Sequence, residues 1–373
     1  MTDQHLHIIC LDVPYPVDHG GLFDLFYKLP VLQEAGVRIH LHCFEYGRGR
    51  QPELDKYCAS VHYYKRRTGL AGFSLTTPYI VSSRKNEELF QRLLQDNHPI
   101  LMEGIHCTWP LNDDRFKDRR MFVRLHNVEH EYYNQLGNAG GSFGKRLYYA
   151  NESRLLKKYE AKIASKATFF AVSEKDAATY RDTFNANAAY LPVFLPWNSV
   201  TADAGKGQFC LYHGNLSVIE NEMAALWLLH NVFKSLKTPF VIAGKNPSSR
   251  LQNYLKGMEH VCLAANPSAA EMQDLIKKAH INILPAFNIT GVKLKLLHAL
   301  YEGRHCITNK LAVQGTGLEG CCHVLAKGSE IQAAISLLLE KEFTASMIAD
   351  RTEVLGRIYN NEENCRKLIA AIW

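Results

Sequence analysis

The sequence predicts an α/β fold of two doubly wound domains, each built on a parallel sheet with helices on both faces. Short apolar runs alternate with amphipathic stretches along the chain, which is the pattern that successive βαβ units produce. The length of 373 residues is too great for one ordinary core and fits two domains of comparable size. One segment, 195–208, interrupts the alternation with the Pro, Ser, Asp and Gly content of a linker.

The linker separates two groups of predicted strands. We expect a first domain over 1–198, with the strands HLHIICL, RIHLHCF, SVHYY, ILMEGI, FVRLHN, TFFAVS and AAYLPV. We expect a second domain over 206–355, with the strands FCLYHG, FVIAGK, VCLAA, INILP, CITNK and HVLA. Open parallel sheets bind ligands beyond the carboxyl ends of their strands, so two such domains that face each other are expected to form one central cleft.

Composition narrows the class of protein. The chain has 47% hydrophobic and 21% charged residues and no run near the roughly 18 apolar residues of a membrane span, as expected of an ordinary globular protein. The N-terminal HLHIICLD predicts a strand instead of a signal peptide. Ten cysteines without paired spacing favour a reducing cytoplasm. The net charge of +6 favours anionic partners without choosing among a sugar nucleotide, a nucleic acid and an acidic lipid surface.

The segment 288–303, NITGVKLKLLHALYEG, carries the strongest chemical signal. It follows a predicted strand, and Lys293 and Lys295 stand beside Gly291 where a helix is expected to begin. Unpaired N–H groups at a helix start carry positive partial charge, and two ammonium groups within one turn add full charges, so the segment predicts a diphosphate site. The alternative is that these lysines, and Lys245 in the AGKNP segment, are solvated surface charges.

A second candidate anion site follows the first predicted strand. Gly20 and Gly21 end the loop LDVPYPVDHGG, and a helix is expected from about Leu22. Because glycine has no side chain, the backbone there can approach a phosphate or sugar closely while the helix start directs its dipole at the ligand. The alternative is an ordinary strand-to-helix turn.

The segment 123–133, VRLHNVEHEYY, places His126 at the end of a predicted strand, where open sheets put site residues. His126, Glu129 and His130 also spell HxxEH, an inverted zinc-protease pattern. That pattern needs both histidines one turn apart on the same helix, whereas a β-rich run leads directly into His126. A purely structural histidine is the third alternative.

Two further patterns predict local structure. Gly315, Gly317 and Gly320 match GxGxxG, but the strand-like CCHVLA follows them instead of the helix that a dinucleotide-binding fingerprint requires. They are expected to form a loop whose amides can meet phosphate. Ser173 is expected to cap a helix with Asp176 at its third position.

These segments resemble the retaining GT-B glycosyltransferases of family 4 type. The run at 288–303 is similar to the family's GTGxKxKxLEA motif, which holds the nucleotide-sugar donor, and IAGKNP and LAVQGTGL are similar to its flanking strands. YHGNLSVIENEMAALWLL is similar to the family's GNLSYxPNxEA segment, and RLHNVEHE to the acceptor domain of one subgroup. Two departures stand out. His298 replaces the last Glu of the first motif, and Asn215 and Asn221 stand where many members carry an Arg and a Lys.

The resemblance implies roles for particular residues. The donor would be held by Gly20, Gly21, Gly214, Asn215, Lys245, Thr290, Gly291, Lys293, Lys295 and His298. The acceptor side would include His126, Asn127, Glu129 and Ser173. His126 beside the transferring sugar and Lys293 beside the leaving diphosphate would be catalytic. The last helix, at about 356–373, would pack back on the first domain.

The function implied by the resemblance is transfer of a sugar from a nucleotide diphosphate sugar to an acceptor hydroxyl with retention of configuration. No metal and no cofactor are expected, because lysines and helix ends can neutralise the leaving group. The family's acceptors suggest a lipid-linked or polysaccharide precursor, and the basic charge fits peripheral contact with the inner face of a membrane. No nucleic acid is expected as a partner. A non-catalytic nucleotide-sugar binder or partner subunit is the alternative, because His298 offers one acceptor where a carboxylate offers several.

Overall fold

The structure is a computed structural model that describes residues 4–17, 20–45, 47–138, 142–287 and 291–373. The chain divides into two compact units. Unit 1 comprises Met1–Pro196, Thr290–Val292 and Tyr359–Trp373, and unit 2 comprises Trp197–Ile289 and Lys293–Ile358. The first division falls within the segment that has the composition of a linker.

Unit 1 contains a seven-stranded sheet in which every pair of neighbours is parallel. Its strands are β1 (His5–Cys10), β2 (Arg38–Glu45), β3 (Ser60–Lys65), β4 (Ile100–Glu103), β5 (Met121–Leu125), β6 (Thr168–Ala171) and β7 (Ala188–Tyr190). The order is β3-β2-β1-β4-β5-β6-β7, so the direction of winding reverses between β1 and β4. The carboxyl ends of these two strands therefore flank the place where an open sheet binds ligands.

The helices of unit 1 cover both faces of this sheet. They are α1 (Phe23–Glu34), α2 (Tyr79–Ser82), α3 (Glu87–Leu93), α4 (Glu129–Asn138), α5 (Phe143–Ile163) and α6 (Glu174–Phe184). Alternate residues of β1 serve different cores. Leu6 and Ile8 pack with α1 on one face, whereas Ile9 packs with the cluster that includes α3 and α5 on the other. This alternation follows from the two-residue period of a strand.

Unit 2 repeats the same winding with six parallel strands in the order β10-β9-β8-β11-β12-β13. The strands are β8 (Cys210–His213), β9 (Phe240–Gly244), β10 (Val261–Ala265), β11 (Ile281–Ile283), β12 (His305–Thr308) and β13 (His323–Val324). The helices are α7 (Ile219–Leu228), α8 (Ser249–Tyr254), α9 (Ala269–Lys278), α10 (Leu294–Glu302), α11 (Lys310–Val313), α12 (Gly328–Glu340) and α13 (Ala345–Ile358). The winding reverses between β8 and β11. The prediction of two doubly wound parallel sheets is therefore confirmed.

The last helix, α14 (Asn361–Ile372), belongs to unit 1. Cys365, Leu368 and Ile372 are buried in the same apolar cluster as α1. The guanidinium of Arg120 donates to the carbonyl of Ile372 at 3.0 Å. The chain end is thus packed onto the sheet of unit 1 by apolar contacts and a hydrogen bond.

The helices of the described ranges include none that is both long enough and apolar enough to cross a membrane. All ten cysteines are free thiols.

Six histidines gather on the face of the unit 1 sheet opposite α1: His5, His7, His40, His42, His62 and His98, called here the histidine cluster. His7 Nδ1 and His42 Nε2 lie 2.8 Å apart, as do His5 Nδ1 and His40 Nε2. In each pair one ring nitrogen donates a hydrogen bond to the other, so two neutral imidazoles can form the contact. Burial lowers the pKa of His7 to about 4, and burial holds the pKa of His42 well below its usual value.

We expect the histidine cluster to make the protein acid-labile. Because the folded pKa values lie below the usual 6.5, the unfolded chain takes up protons first, and stability is lost as pH falls from about 6.5 toward 4. His7 alone is expected to contribute about 3 kcal/mol of this loss by pH 4. Thermal melting between pH 7.5 and 4 measures the effect.

The variant His42→Gln should flatten this pH dependence by about one proton, because glutamine does not titrate. His230→Gln is the matched control, since His230 is exposed and its ring lies 3.3 Å from Tyr254 Oη. A wild-type melting temperature that does not change over this pH range would contradict the expectation.

Candidate functional site

In unit 2, two glycines allow the ends of β8 and β9 to meet closely. A Cβ added to Gly244 would lie 1.9 Å from the carbonyl oxygen of Gly214, so only glycine fits at position 244. Asn215 follows Gly214, and its side chain accepts from the amide and the hydroxyl of Ser217 at 3.1 and 2.7 Å. This turn lies at the carboxyl end of β8, beside the point where the winding reverses.

Gly244→Ala is expected to destabilise unit 2 by about 2–4 kcal/mol, because the strand ends must separate to admit the methyl group. Nucleotide binding should weaken with it if the turn forms part of the donor site. Gly320→Ala is the matched control, since a Cβ there meets nothing within 4 Å. Chemical denaturation of both variants is the measurement, and equal stabilities would refute the assigned close approach.

Lys295, the second residue of α10, is half-buried, and its ammonium meets neutral groups. Its Nζ donates to Asn221 Oδ1 at 2.9 Å and to Tyr212 Oη at 3.2 Å, and it lies 4.8 Å from the centre of the Tyr212 ring. Burial and the nearby Lys293 lower the pKa of Lys295 to about 7. No carboxylate of the described residues forms an ion pair with it. An anion arriving here would supply the missing counter-charge.

The remaining residues of the lysine segment have separate environments. Lys293 is half-buried and directly precedes α10. Gly291 has a left-handed φ of 62° and belongs to unit 1, where an added Cβ would lie 2.6 Å from Asn127 Oδ1. Thr290 lies outside the described residues. Lys245 is exposed after β9, and its carbonyl accepts from Leu216 N at 3.0 Å.

His298, which replaces the Glu of the family motif, is held by its neighbours. Its Nε2 lies 3.2 Å from Glu302 Oε2, one turn further along α10. The indole of Trp197 stacks on its ring at 4.8 Å and also donates to Glu302, at 3.0 Å. When Nε2 donates to Glu302, Nδ1 remains as one acceptor for a ligand hydroxyl. Helix α10 thus still carries a carboxylate, Glu302, one turn after the position where the family motif has its last Glu.

His213, the last residue of β8, completes this group in unit 2. It is buried, lies edge-on to His298 at 6.0 Å, and its Nε2 has no hydrogen-bond partner among the described residues. Burial, with His298 and Lys295 nearby, holds its pKa well below the usual value. A neutral imidazole with an unused nitrogen therefore lies at the carboxyl end of the sheet.

In unit 1, a buried cluster of four charged residues lies at the corresponding end of the sheet. Asp24 in the first turn of α1 accepts from Arg124 Nε and Nη2, each at 2.8 Å, and from Lys28 Nζ at 3.0 Å. Lys28 also donates a short hydrogen bond to Glu103 at the end of β4. Burial would raise the pKa of both carboxyls. Arg124 and Lys28 outweigh burial for Asp24, and Lys28 and His126 outweigh it for Glu103, so both pKa values lie below the usual range.

This charged cluster positions His126. Glu103 Oε2 lies 2.9 Å from His126 Nε2, and Glu103 itself is fully buried. The ring therefore has one nitrogen fixed, which leaves Nδ1 for a ligand. Ligand atoms of Asp24, Glu103 and His126 lie close enough to surround a metal ion, but Lys28 Nζ already contacts both carboxylates. The ammonium of Lys28 therefore supplies the positive charge between these two carboxylates.

Glu129 and His130 face a different carboxylate. His130 Nδ1 lies 2.6 Å from Glu160 Oε2, and the Glu129 amide donates to Glu160 Oε1 at 3.0 Å. Burial and the charge of Glu160 raise the pKa of Glu129 to about 8. His126 precedes α4, whereas Glu129 and His130 lie within it. The HxxEH residues therefore do not share one helix face, as the zinc pattern requires.

The other predicted residues of unit 1 occupy local roles. Ser173 caps α6 by accepting from the Asp176 amide at 3.1 Å, which confirms the predicted cap. Gly20 and Gly21 form a short 3-10 turn that ends at Leu22, and α1 begins at Phe23. The helix that follows is the one that carries Asp24 and Lys28 into the charged cluster.

Sequence reasoning missed several of these residues. Glu103 and Arg124 stand inside the apolar runs ILMEGI and FVRLHN, and a charge in a buried strand is the signal that could have found them. Trp197 was assigned only to the linker. His213 and Glu302 carried no separate signal, because the fold alone brings them beside His298.

No protein-family model matches the chain. A curated relative, an uncharacterized 44.6 kDa protein in the cps region of Klebsiella pneumoniae, is 25% identical over 333 residues, which cover 83% of this chain and 84% of the relative.

Solved structures resemble the whole chain. TarM matches with a TM-score of 0.72 and 10% identity, over 100% of this chain and 99% of TarM. A glycosyltransferase from Rickettsia africae matches with a TM-score of 0.65 and 11% identity, over 100% and 98%. A trehalose-6-phosphate synthase, studied for glycosyl transfer with retention, matches with a TM-score of 0.61 and 10% identity, over 98% of each chain. The chain is thus similar along its full length to structures of glycosyltransferases, and its two doubly wound parallel sheets constitute the GT-B fold.

Proposed function

We propose that this protein transfers a sugar from a nucleotide diphosphate sugar to an acceptor hydroxyl. The half-buried ammonium of Lys295 carries the proposal. It lies at the carboxyl end of the unit 2 sheet and contacts the neutral oxygens of Tyr212 and Asn221. A diphosphate would restore charge balance there and would raise the lowered pKa of the lysine.

The remaining unit 2 residues suit the rest of such a donor. Gly214 and Gly244 lie where the ends of β8 and β9 approach each other closely, and Gly244 is required for that approach. His298 and His213 offer imidazole nitrogens for ribose or sugar hydroxyls, and Lys293 stands next to the helix start, where partial positive charge assists an anion. In this assignment Lys293 and Lys295 neutralise the leaving diphosphate.

His126 is the proposed catalytic group of unit 1. Glu103 orients its ring through Nε2, and Nδ1 is then available to a hydroxyl of the transferring sugar or of the acceptor. A sugar that departs from a diphosphate develops oxocarbenium character, so orientation and negative charge nearby assist more than a strong base. Asn127 and Glu129 are proposed to line the acceptor side. Glu129 would act there as a neutral carboxylic acid at pH 7, because its pKa is raised to about 8.

The finer parts of the proposal are the family 4 type, the retaining stereochemistry, and independence of metals and cofactors. The lysine segment supports the family 4 type. A structural neighbour studied for transfer with retention is compatible with retaining stereochemistry. Independence of metals is supported by Lys28, which contacts both Asp24 and Glu103.

The proposed acceptor is a glycan or a lipid-linked precursor. A TarM structure from S. aureus contains UDP, fondaparinux and α-GlcNAc-glycerol, and the Klebsiella pneumoniae relative is assigned to a cps region. Action in the cytoplasm at the inner face of a membrane, without nucleic acid, stays a prediction.

One observation favours a second candidate, a nucleotide-sugar binder without transfer activity. His298 shares its Nε2 with Glu302, so it presents fewer acceptors to a ribose than the carboxylate of the family motif. The loss of one buried hydroxyl partner costs about 1–3 kcal/mol. Binding would weaken, and the chemical step could still proceed.

Calorimetry with a panel of nucleoside diphosphates identifies the base, and release of sugar from the matching nucleotide sugar then tests transfer chemistry. The anomer first released, read by NMR, reports retention or inversion, and a parallel reaction with EDTA tests the metal. Binding without any sugar release, in the presence of glycan and lipid acceptors, would favour the second candidate. Failure of every nucleotide to bind would refute both.

A further inference from the structure

A cavity of about 290 Å³ lies in unit 2 beside β13, the last strand of the sheet. Three cysteines line it: Cys306, the second residue of β12, and the adjacent Cys321 and Cys322, which directly precede β13. Cys306 is buried, whereas Cys321 and Cys322 are partly exposed. A cavity of this volume holds several water molecules, so a small polar reagent can reach the sulfurs.

Cys306 and Cys322 face each other across two parallel strands. Ile307 of β12 pairs with His323 of β13, so Cys306 and Cys322 occupy the preceding pair of positions. The backbone of Cys322 is extended, with φ −133° and ψ 154°, and therefore continues the strand geometry. Neighbouring strands lie about 4.7–4.9 Å apart, which is within the separation of about 4.4–6.8 Å that the Cα atoms of a disulfide require.

The two sulfurs already interact. The Cys322 thiol forms a hydrogen bond with Cys306, and this bond together with burial raises the pKa of Cys322. β13 has only two residues and only β12 as a neighbour in the sheet, so a small shift of this edge strand can bring the sulfurs to bonding distance. The fold thus places the two thiols where one S–S bond can form.

A buried cation lies at the same cavity. The guanidinium of Arg351 in α13 donates to three backbone carbonyls at 2.6 to 3.1 Å. Burial raises the pKa of Cys321, and the charge of Arg351 opposes this increase at both Cys321 and Cys322. The thiolate is the reactive form of cysteine, and a nearby guanidinium favours it.

Unit 1 contains a similar pair of cysteines in a different environment. Cys10 and Cys43 are paired residues of β1 and β2, and Cys43 also forms a hydrogen bond with Cys10. Both side chains are fully buried in the apolar cluster that includes α1. The two pairs share a strand register and differ in access to solvent. Cys10 and Cys43 are therefore an internal control for the reactivity of Cys306 and Cys322.

We propose that Cys306 and Cys322 are a redox site that forms a reversible disulfide with hydrogen peroxide as the oxidant. The thiolate of one cysteine attacks a peroxide oxygen and the O–O bond breaks, which gives a sulfenic acid and, with the thiol proton, one water. The second thiol then attacks the sulfenic sulfur, the S–S bond forms, and the sulfenic oxygen leaves with the second thiol proton as water. Two thiols are oxidised, and one peroxide is reduced to two waters.

The disulfide would close the connection between β12 and β13 into a covalent ring. This connection contains α11 and the turns at Gly315 and Gly317, which have left-handed φ of 75° and 73°. It begins at Asn309, whose side chain accepts from the amide of Ala286 at 3.1 Å and donates to its carbonyl at 2.8 Å. Ring closure restricts the open states of such a connection, so oxidation should stiffen it.

This proposal goes beyond the proposed transfer reaction and does not depend on it, because oxidation of the thiols needs neither donor nor acceptor. Peroxide treatment of the reduced full chain, followed by blocking of free thiols and peptide mass mapping without reductant, provides the test. We expect a link between Cys306 and Cys322 that dithiothreitol removes, while Cys10 and Cys43 stay reduced. Amide hydrogen exchange in the connection 309–321 should be slower in the oxidised protein.

Three variants sharpen this test. Cys322→Ser should abolish the link to Cys306, whereas Cys321→Ser should retain it. Cys262→Ser is the matched control, because Cys262 is an exposed cysteine of the same unit, and this variant should form the link as the wild type does. Circular dichroism checks that each variant is folded.

Four results would overturn the proposal. The first is a wild-type protein in which Cys306 and Cys322 stay reduced in peroxide, and the second is a link from Cys321 in place of Cys322. The third is oxidation of Cys10 and Cys43 at the same rate, since access would then not distinguish the pairs. The fourth is a link that dithiothreitol does not reverse.

Discussion

His126→Ala is expected to lower turnover by about 10²–10⁴-fold while the affinity for the donor stays near that of the wild type. The reason is the position of the ring, which Glu103 holds through Nε2 at 2.9 Å at the carboxyl end of the unit 1 sheet. If the free Nδ1 contacts the transferring sugar or the acceptor, that contact strengthens in the transition state and its loss appears in kcat. Steady-state kinetics and donor calorimetry on the same protein separate the two effects.

His230→Ala is the control for this variant, because His230 is exposed on unit 2 and should leave kcat unchanged. A zinc role for His126 makes the opposite prediction. The wild type would then contain stoichiometric zinc, chelators would inhibit it, and His126→Ala would lose the metal. Full activity of His126→Ala, or zinc in the purified protein, would overturn the assignment.

Lys293→Ala and Lys295→Ala are each expected to weaken nucleoside diphosphate binding by about 1.5–3 kcal/mol without unfolding the protein. Lys295 should show the larger effect, since its ammonium is half-buried against Tyr212 and Asn221. Lys237→Ala, which removes an exposed lysine of the same unit, is the control. Wild-type affinity in both site variants would remove the anion site from this segment.

The pH dependence of binding gives a second, independent measurement on Lys295. Its pKa is lowered to about 7 in the free protein, and a bound diphosphate would raise it. Binding should therefore take up a proton above pH 7, and affinity should fall as pH rises from about 7 through the raised pKa of the complex. Calorimetry in buffers of different ionisation enthalpy measures this uptake. Lys295→Ala should abolish the uptake. Lys293→Ala should retain it but move it to higher pH, because the nearby Lys293 helps to lower the pKa of Lys295.

Much of the fold could be predicted because each element leaves a local signal. The runs HLHIIC and RIHLHCF alternate with a period of two and became β1 and β2, and Ser173 with Asp176 predicted a helix cap that the structure contains. The partners of the site residues could not be predicted in this way. Glu103 and His126 are 23 residues apart, and Lys295 and Tyr212 are 83 apart, so no local pattern connects them.

The sequence by itself determined that the chain forms two parallel α/β sheets, that a lysine pair stands at a helix start, and that His126 ends a strand. Hydrophobic periodicity, turn residues and helix-start residues are short-range properties, because each depends on a few neighbouring positions of the sequence. Only the tertiary structure decided which charges meet. Parallel strands bring the carboxyl ends of distant segments to one edge of a sheet. In unit 1, Lys28 contacts both Asp24 and Glu103, and Glu103 orients His126. In unit 2, burial leaves Lys295 with neutral partners.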